Sequence, residues 1–168
     1  MSDLNRFIDA SVLRSFVEES NYIEGYTHRV KADELRAHRQ LLFDGCSPTT
    51  MRQFVSLVAP GNSLRTQAGM NVRVGSHVAP CGGPMIEPAL KDILLHTWAG
   101  DPFDVHRRLL NLHPFTDGNG RASRAVWLYM MLKLGRPVNR GFLHEWYYQS
   151  LAHYDRTEGA TNGMALKA

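Results

Sequence analysis

The chain has 168 residues, 43% hydrophobic and 21% charged, enough to bury a core and matching one globular domain over 1–168. Its net charge of +3 and pI ≈ 9.0 suit an anionic ligand, yet it has no Lys/Arg block or basic-aromatic run, so no direct nucleic-acid binding is expected. No apolar run nears the ~20 residues of a membrane span and MSDLNRFIDA carries no signal pattern, so the expectation is a cytoplasmic protein without membrane contact.

A first helix is expected over about 11–24, stopped by Gly25. Its buried stripe reads Leu13, Phe16, Val17, Ser20, Ile23, Glu24, so two polar residues four apart lie on the apolar face. Glu24 also sits at the helix C-terminus, where the dipole disfavours negative charge. Its carboxylate therefore needs either a cationic partner or open solvent.

A second helix should cover Ala32 to Phe43. Ser47 and Pro48, as N-cap and first residue, open a third that runs to about Val58. Between Gly69 and Ala79, Val72, Val74 and Val78 recur at period two around Gly75 and Ser76, which predicts a short exposed hairpin. Glu87 to Trp98 reads as a helix with Leu90, Ile93, Leu94 and Trp98 inward. Asp101 and Pro102 open the next, which must stop before His113 because Pro114 follows. The helix after Gly120 is apolar nearly all round and ends at Gly135, as a central buried helix would. Asn139 opens a last helix carrying Phe142, Leu143, Trp146, Tyr147 and Leu151, and the Gly/Ala/Thr-rich tail 157–168 is expected to lack order. The fold class is all-α, a single helical bundle with one short β-hairpin.

The densest chemistry lies in His113 to Arg124, HPFTDGNGRASR. Two glycines allow a tight turn whose N–H groups form an anion nest at a helix N-terminus. Arg121 and Arg124, three apart, work against the helix dipole there, so an outside anion is implied, and phosphate suits the planar guanidinium. Asp117 offers a hard oxygen for the Mg²⁺ that accompanies a polyphosphate. His113 can exchange a proton near neutral pH. The eight histidines show no HExxH or paired ligand spacing, and Cys46 and Cys81 form neither a metal spacing nor a disulfide framework, so no zinc site is expected.

This segment resembles the signature of the Fic family: HPF, any residue, Asp or Glu, GNGR, two free residues, Arg. Every fixed position is met. DPFDVHRRLLNLHPF resembles the helix leading into that motif, and VRVGSHVAP the family's β-hairpin flap. Ser20, Glu24 and Gly25 match the family's inhibitory pattern, with Tyr26 departing from the commoner Asn. The resemblance implies a compact Fic fold and a protein adenylyltransferase that moves AMP from ATP to a Ser, Thr or Tyr hydroxyl. His113 would be the general base, and Asp117 would hold Mg²⁺. Gly118, Asn119 and Gly120 would form the anion hole, with the Asn119 side chain assisting, and Arg121 and Arg124 would hold the outer phosphates. Phe115 would anchor the loop in the core. Val72, Arg73 and Val74 of the flap would pair with an extended target segment. Glu24 would pair with Arg124 and keep the enzyme off.

Rival readings are transfer of another nucleotide, phosphate or phosphocholine on the same fold, removal of AMP with Glu24 positioning water, and a nucleotide-responsive binding module without turnover. GNGR argues against the Doc-type phosphotransferases, which carry Lys in that region, and an intact His113 argues against a pure binder. Self-modification and homo-oligomers remain open as partners.

Overall fold

Capping residues set the helix boundaries. The computed structural model describes residues 4–75, 77–138, 142–144 and 146–152. After a 3-10 turn at Leu4–Phe7, α1 spans Ala10–Ile23. It opens on Asp9, whose carboxylate accepts from Ser11 N at 2.7 Å, and closes at Glu24, followed by Gly25 in the left-handed region at φ 78°. Helix α2 is Ala32–Asp44, with Glu34 reaching back to the Lys31 N–H at 2.7 Å. Helix α3 is Pro48–Val58, opened by a reciprocal Ser47–Thr50 box. Helix α4 is Ile86–Leu95, α5 is Pro102–Leu112 with Asp101 as its cap, and α6 is Asn119–Lys133. The expected hairpin forms from β1 (Arg73–Val74) and β2 (His77–Val78), with Arg73 opposite Val78 and Val74 opposite His77. The fold is therefore all-α with a two-stranded flap.

Helix α6 is the centre. It packs against α5, α3, α2 and α1, and its residues from Arg121 to Val126 are all buried. Leu13, Phe16, Leu41, Phe54, Leu90, Val105 and Val126 form one core around it. Each such side chain contributes about 1.5–3 kcal/mol on leaving water. Burial on every side fits a helix that is apolar nearly all round. It also means that the polar groups of its first turn must find partners inside the protein.

Two expectations are corrected. Trp98 was expected inward, but α4 ends at Leu95 and a 3-10 turn, His96–Trp98, carries the indole outward to 72% exposure, where the Lys133 ammonium lies 3.3 Å from the ring centroid. The tighter turn breaks the 3.6-residue phase that placed Trp98 with Leu94. At the C-terminal end, residues 147–152 are helical while 142–144 are not. Of the apolar residues expected on that helix, Tyr147 is buried but Leu143 and Trp146 are exposed. Asn139 and the tail 157–168 lie outside the described residues.

Candidate active site

The loop between α5 and α6 is held as a short antiparallel bridge against residues 63–65. Leu64 pairs with Phe115, Arg65 N donates to Pro114 O at 2.9 Å and Thr116 N to Ser63 O at 3.0 Å. Phe115 is buried, the anchor its apolar ring requires. His113 ends α5 in the left-handed region (φ 49°), the only non-glycine residue with positive φ among those described. Pro114 disfavours the right-handed helical conformation at His113, and the loop contacts hold this alternative. Burial pushes the His113 imidazole below its usual range, with the Arg65 and His77 charges adding to the effect. Its Nδ1 faces the Leu110 carbonyl at 3.4 Å, so the ring proton belongs on Nδ1 and Nε2 keeps its lone pair.

Gly118 caps α6 at φ 78°, and a Cβ there would also lie 3.0 Å from the Ala59 methyl, so glycine is required twice over. Asp117 turns one oxygen to the Gly118 N–H at 2.6 Å and is otherwise exposed. The Asn119 side chain is fully engaged by the loop: Oδ1 accepts from Phe115 N and Nδ2 donates to Phe115 O, both at 2.8 Å. It clamps the turn, and the first turn of α6 leaves backbone N–H groups without intrahelical partners.

The two arginines go different ways. Arg124 is 1% exposed. Its Nε donates to Ser20 Oγ at 2.8 Å and its Nη2 to Ser20 O at 3.0 Å and to Glu24 Oε1 at 2.5 Å, while its guanidinium lies 5.1 Å from the Tyr147 ring centroid. Arg121 instead donates to Val58 O at 2.6 Å, at the end of α3, and stacks over Tyr26 at 4.9 Å. Tyr26, the departure from the family pattern, thus supplies a ring for a buried cation.

Glu24 has found both the partner and the environment that its place on α1 lacked. Its Oε1 lies so close to Gly120 that a Cβ on that glycine would be 2.0 Å away. The carboxylate therefore lies against the first turn of α6 at Gly120, near the positive end of that helix dipole, and pairs with Arg124 at the same time. A cavity of about 210 Å³ collects Glu24, His113, Gly120 and Arg124 with Val74 and His77 of the flap and Tyr147 of the C-terminal segment. Asp117 and Arg121 open into a second cavity of about 370 Å³, with Tyr26, His28 and Glu34. Val72 and Arg73 of the flap are not on the first cavity's wall. No group of three or more His, Cys, Asp or Glu converges among the described residues. A magnesium ion arriving with phosphates needs only one or two protein carboxylates, and the exposed Asp117 fits that demand.

A part-buried imidazole beside the N-terminus of the buried central helix is the frame of the candidate centre. A family model described as the Fic/DOC family matches residues 30–131, more than half of the chain, and the chain belongs to that family. It is a Fic-type enzyme. Among curated proteins, 49 residues are 43% identical to the ribonucleoside-diphosphate reductase small chain of Ostreid herpesvirus 1 (isolate France), covering 29% of this chain and 8% of that protein. The reductase name belongs to that protein, and a match over 8% of its length carries none of that activity here. Both α1 and residues 142–152 lie outside the family-matched span, yet they supply Ser20, Glu24 and Tyr147, which enclose Arg124.

Proposed function

We propose that the protein is an adenylyltransferase, moving AMP from ATP to a Ser, Thr or Tyr hydroxyl of a protein, and that Glu24 holds it off. The observation that carries this reading is the single cavity in which His113, the Gly120 nest, Arg124 and the flap meet around the Glu24 carboxylate. The α-phosphate would sit over the nest, where helix N–H groups stabilise the charge that develops on its oxygens. His113 Nε2 takes the target hydroxyl proton as the hydroxyl oxygen bonds to the α-phosphorus. The α–β bridging bond breaks and pyrophosphate leaves, so phosphorus ends bonded to the target oxygen. Asp117 would hold magnesium, which neutralises phosphate charge when bound. Arg124 would hold the outer phosphates once Glu24 has moved away. Arg121, committed to Val58 O and Tyr26, would act from the neighbouring cavity beside Asp117. Val74 at the cavity wall supports target docking by strand addition at Val72–Val74.

A cytoplasmic setting goes with this reading, since Cys46 and Cys81 are free thiols and no helix of the described residues is long and apolar enough to cross a membrane. The test is incubation of the Glu24→Gly protein with ATP, UTP, GTP or CTP labelled at the α-phosphate, and with ATP labelled at the γ-phosphate, alone and with lysate. α-Label from ATP on protein, on itself or on a target, is expected. Transfer of the γ-label, or of another nucleotide in preference, overturns the AMP assignment.

A further inference from the structure

Arg65 is fully buried and its side chain binds four backbone carbonyls. Nε donates to His113 O at 2.7 Å and Nη2 to Leu112 O at 3.0 Å. Nη1 donates to Met70 O at 2.8 Å and to Pro80 O at 3.0 Å. The first two carbonyls are the end of α5, including the histidine of the active-site loop. The other two are the roots of the flap, just before β1 and just after β2. The backbone repeats the link, since Arg65 N donates to Pro114 O and Arg65 O accepts from Gly83 N, both at 2.9 Å.

Carbonyl dipoles at the C-terminus of α5 favour this cation, and only a guanidinium has enough donors in a fixed plane for four acceptors on two sides. The packing protects the arrangement. A Cβ at Gly82 would lie 2.5 Å from Met70 O, one of the carbonyls Arg65 uses, so no other residue at 82 leaves that carbonyl in place. A second tether between flap and α5 is exposed: His77 Nε2 at 2.9 Å from Asn111 O.

We propose that Arg65 is the positioning residue of this site, fixing the His113 loop and the two flap roots in one relation so that a hydroxyl presented along the flap arrives at the imidazole. The inference rests on the reading of His113 as base and of the flap as the docking strand. It does not depend on which group is transferred.

Arg65→Lys keeps the charge and loses the fork, while Arg65→Gln loses both. Each is made in the Glu24→Gly protein. The proposed phosphate contacts at Gly120 and Arg124 lie on α6, which Arg65 does not touch, so the nucleotide KM should stay within about twofold while kcat falls about 10²-fold in both variants, as for a misaligned base. The charged groups facing His113 are Arg65, His77 on the flap and Glu24 on α1. The His113 ring titration, followed by NMR, should therefore stay in place in Arg65→Lys and move to higher pH in Arg65→Gln. A kcat for Arg65→Lys within about threefold of its parent overturns the proposal, as does a loss of nucleotide affinity equal to the loss of kcat. If the parent transfers nothing, the proposed chemistry has failed and backbone amide shifts decide on Arg65. Arg65→Lys must then move the amides of 112, 113 and 115 and those of 70–79 and 81 together, and movement of only one set, or of neither, overturns the coupling.

Discussion

Removal of the Glu24 carboxylate tests the lock most directly. Arg124 is 1% exposed in its side chain and Glu24 is 31% exposed, so the pair lies between two known limits. Breaking a fully buried pair costs about 3–5 kcal/mol, and a surface pair contributes about 0–1 kcal/mol. Arg124 keeps both Ser20 contacts when Glu24 is lost, which removes most of the penalty of an unpaired buried charge. About 1–2 kcal/mol is therefore the strength of the hold on Arg124. A nucleotide that must displace the carboxylate loses that amount, a factor of about 5–30 in affinity. Titration calorimetry on the wild type, Glu24→Gly and Glu24→Gln should show affinity for ATP with magnesium rising by that factor in Glu24→Gly. The rise should be smaller in Glu24→Gln, whose amide keeps the shape but not the charge. Equal affinity in all three proteins refutes the claim that Glu24 and phosphate compete for Arg124 and the Gly120 nest.

Replacing His113 by Ala in the Glu24→Gly background should lower transfer about 10²–10⁴-fold with nucleotide affinity unchanged, and retained transfer would remove the base assignment. Because burial holds the His113 pKa low, the neutral base survives below the ordinary imidazole range, so the acid limb of the rate profile should fall below pH about 6.5. Gly120→Ala places a methyl on Glu24 Oε1. Glu24 can swing aside at the cost of its pair with Arg124, so the wild type should lose up to about 1–2 kcal/mol and the Glu24→Gly protein less, and equal losses in a double-mutant cycle would contradict the contact. Two further histidines, His38 and His106, are buried neutral, with burial pushing them down to about 4 and about 3. The unfolded chain protonates them near 6.5, so the stability they contribute is present above that pH. It is lost as pH falls from 6.5 toward the folded values, by up to a few kcal/mol each, on the order of 1.36 kcal/mol per pKa unit. Urea midpoints that do not drop between pH 7 and pH 4.5 would rule this out.

Local chemistry made much of this protein legible in its residues alone. Ser47 with Pro48, Asp101 with Pro102, and Gly25 start or stop helices through local geometry, so α3 and α5 begin and α1 ends where those signals lie. The anion nest and the histidine beside it are equally local, twelve residues with their own geometry. Glu24 on an apolar stripe signalled an unmet need for a cation or for water, but periodicity could not choose between them. Long-range placement made that choice. Packing of α1 against α6 brings residues 20 and 24 to Arg124, a hundred residues away in the chain. Arg121 and Arg124 look equivalent at a spacing of three, yet α6 is buried all round. Each therefore meets whatever lies on its own side, the α3 C-terminus and Tyr26 for Arg121, and Ser20, Glu24 and Tyr147 for Arg124. Arg65 gave no sequence signal, because its partners are main-chain carbonyls and a carbonyl's position depends only on the path of the chain. The residues of the candidate centre are written in one stretch of the chain, whereas the Glu24–Arg124 pair and the link from His113 through Arg65 to the flap roots exist only where distant segments pack together.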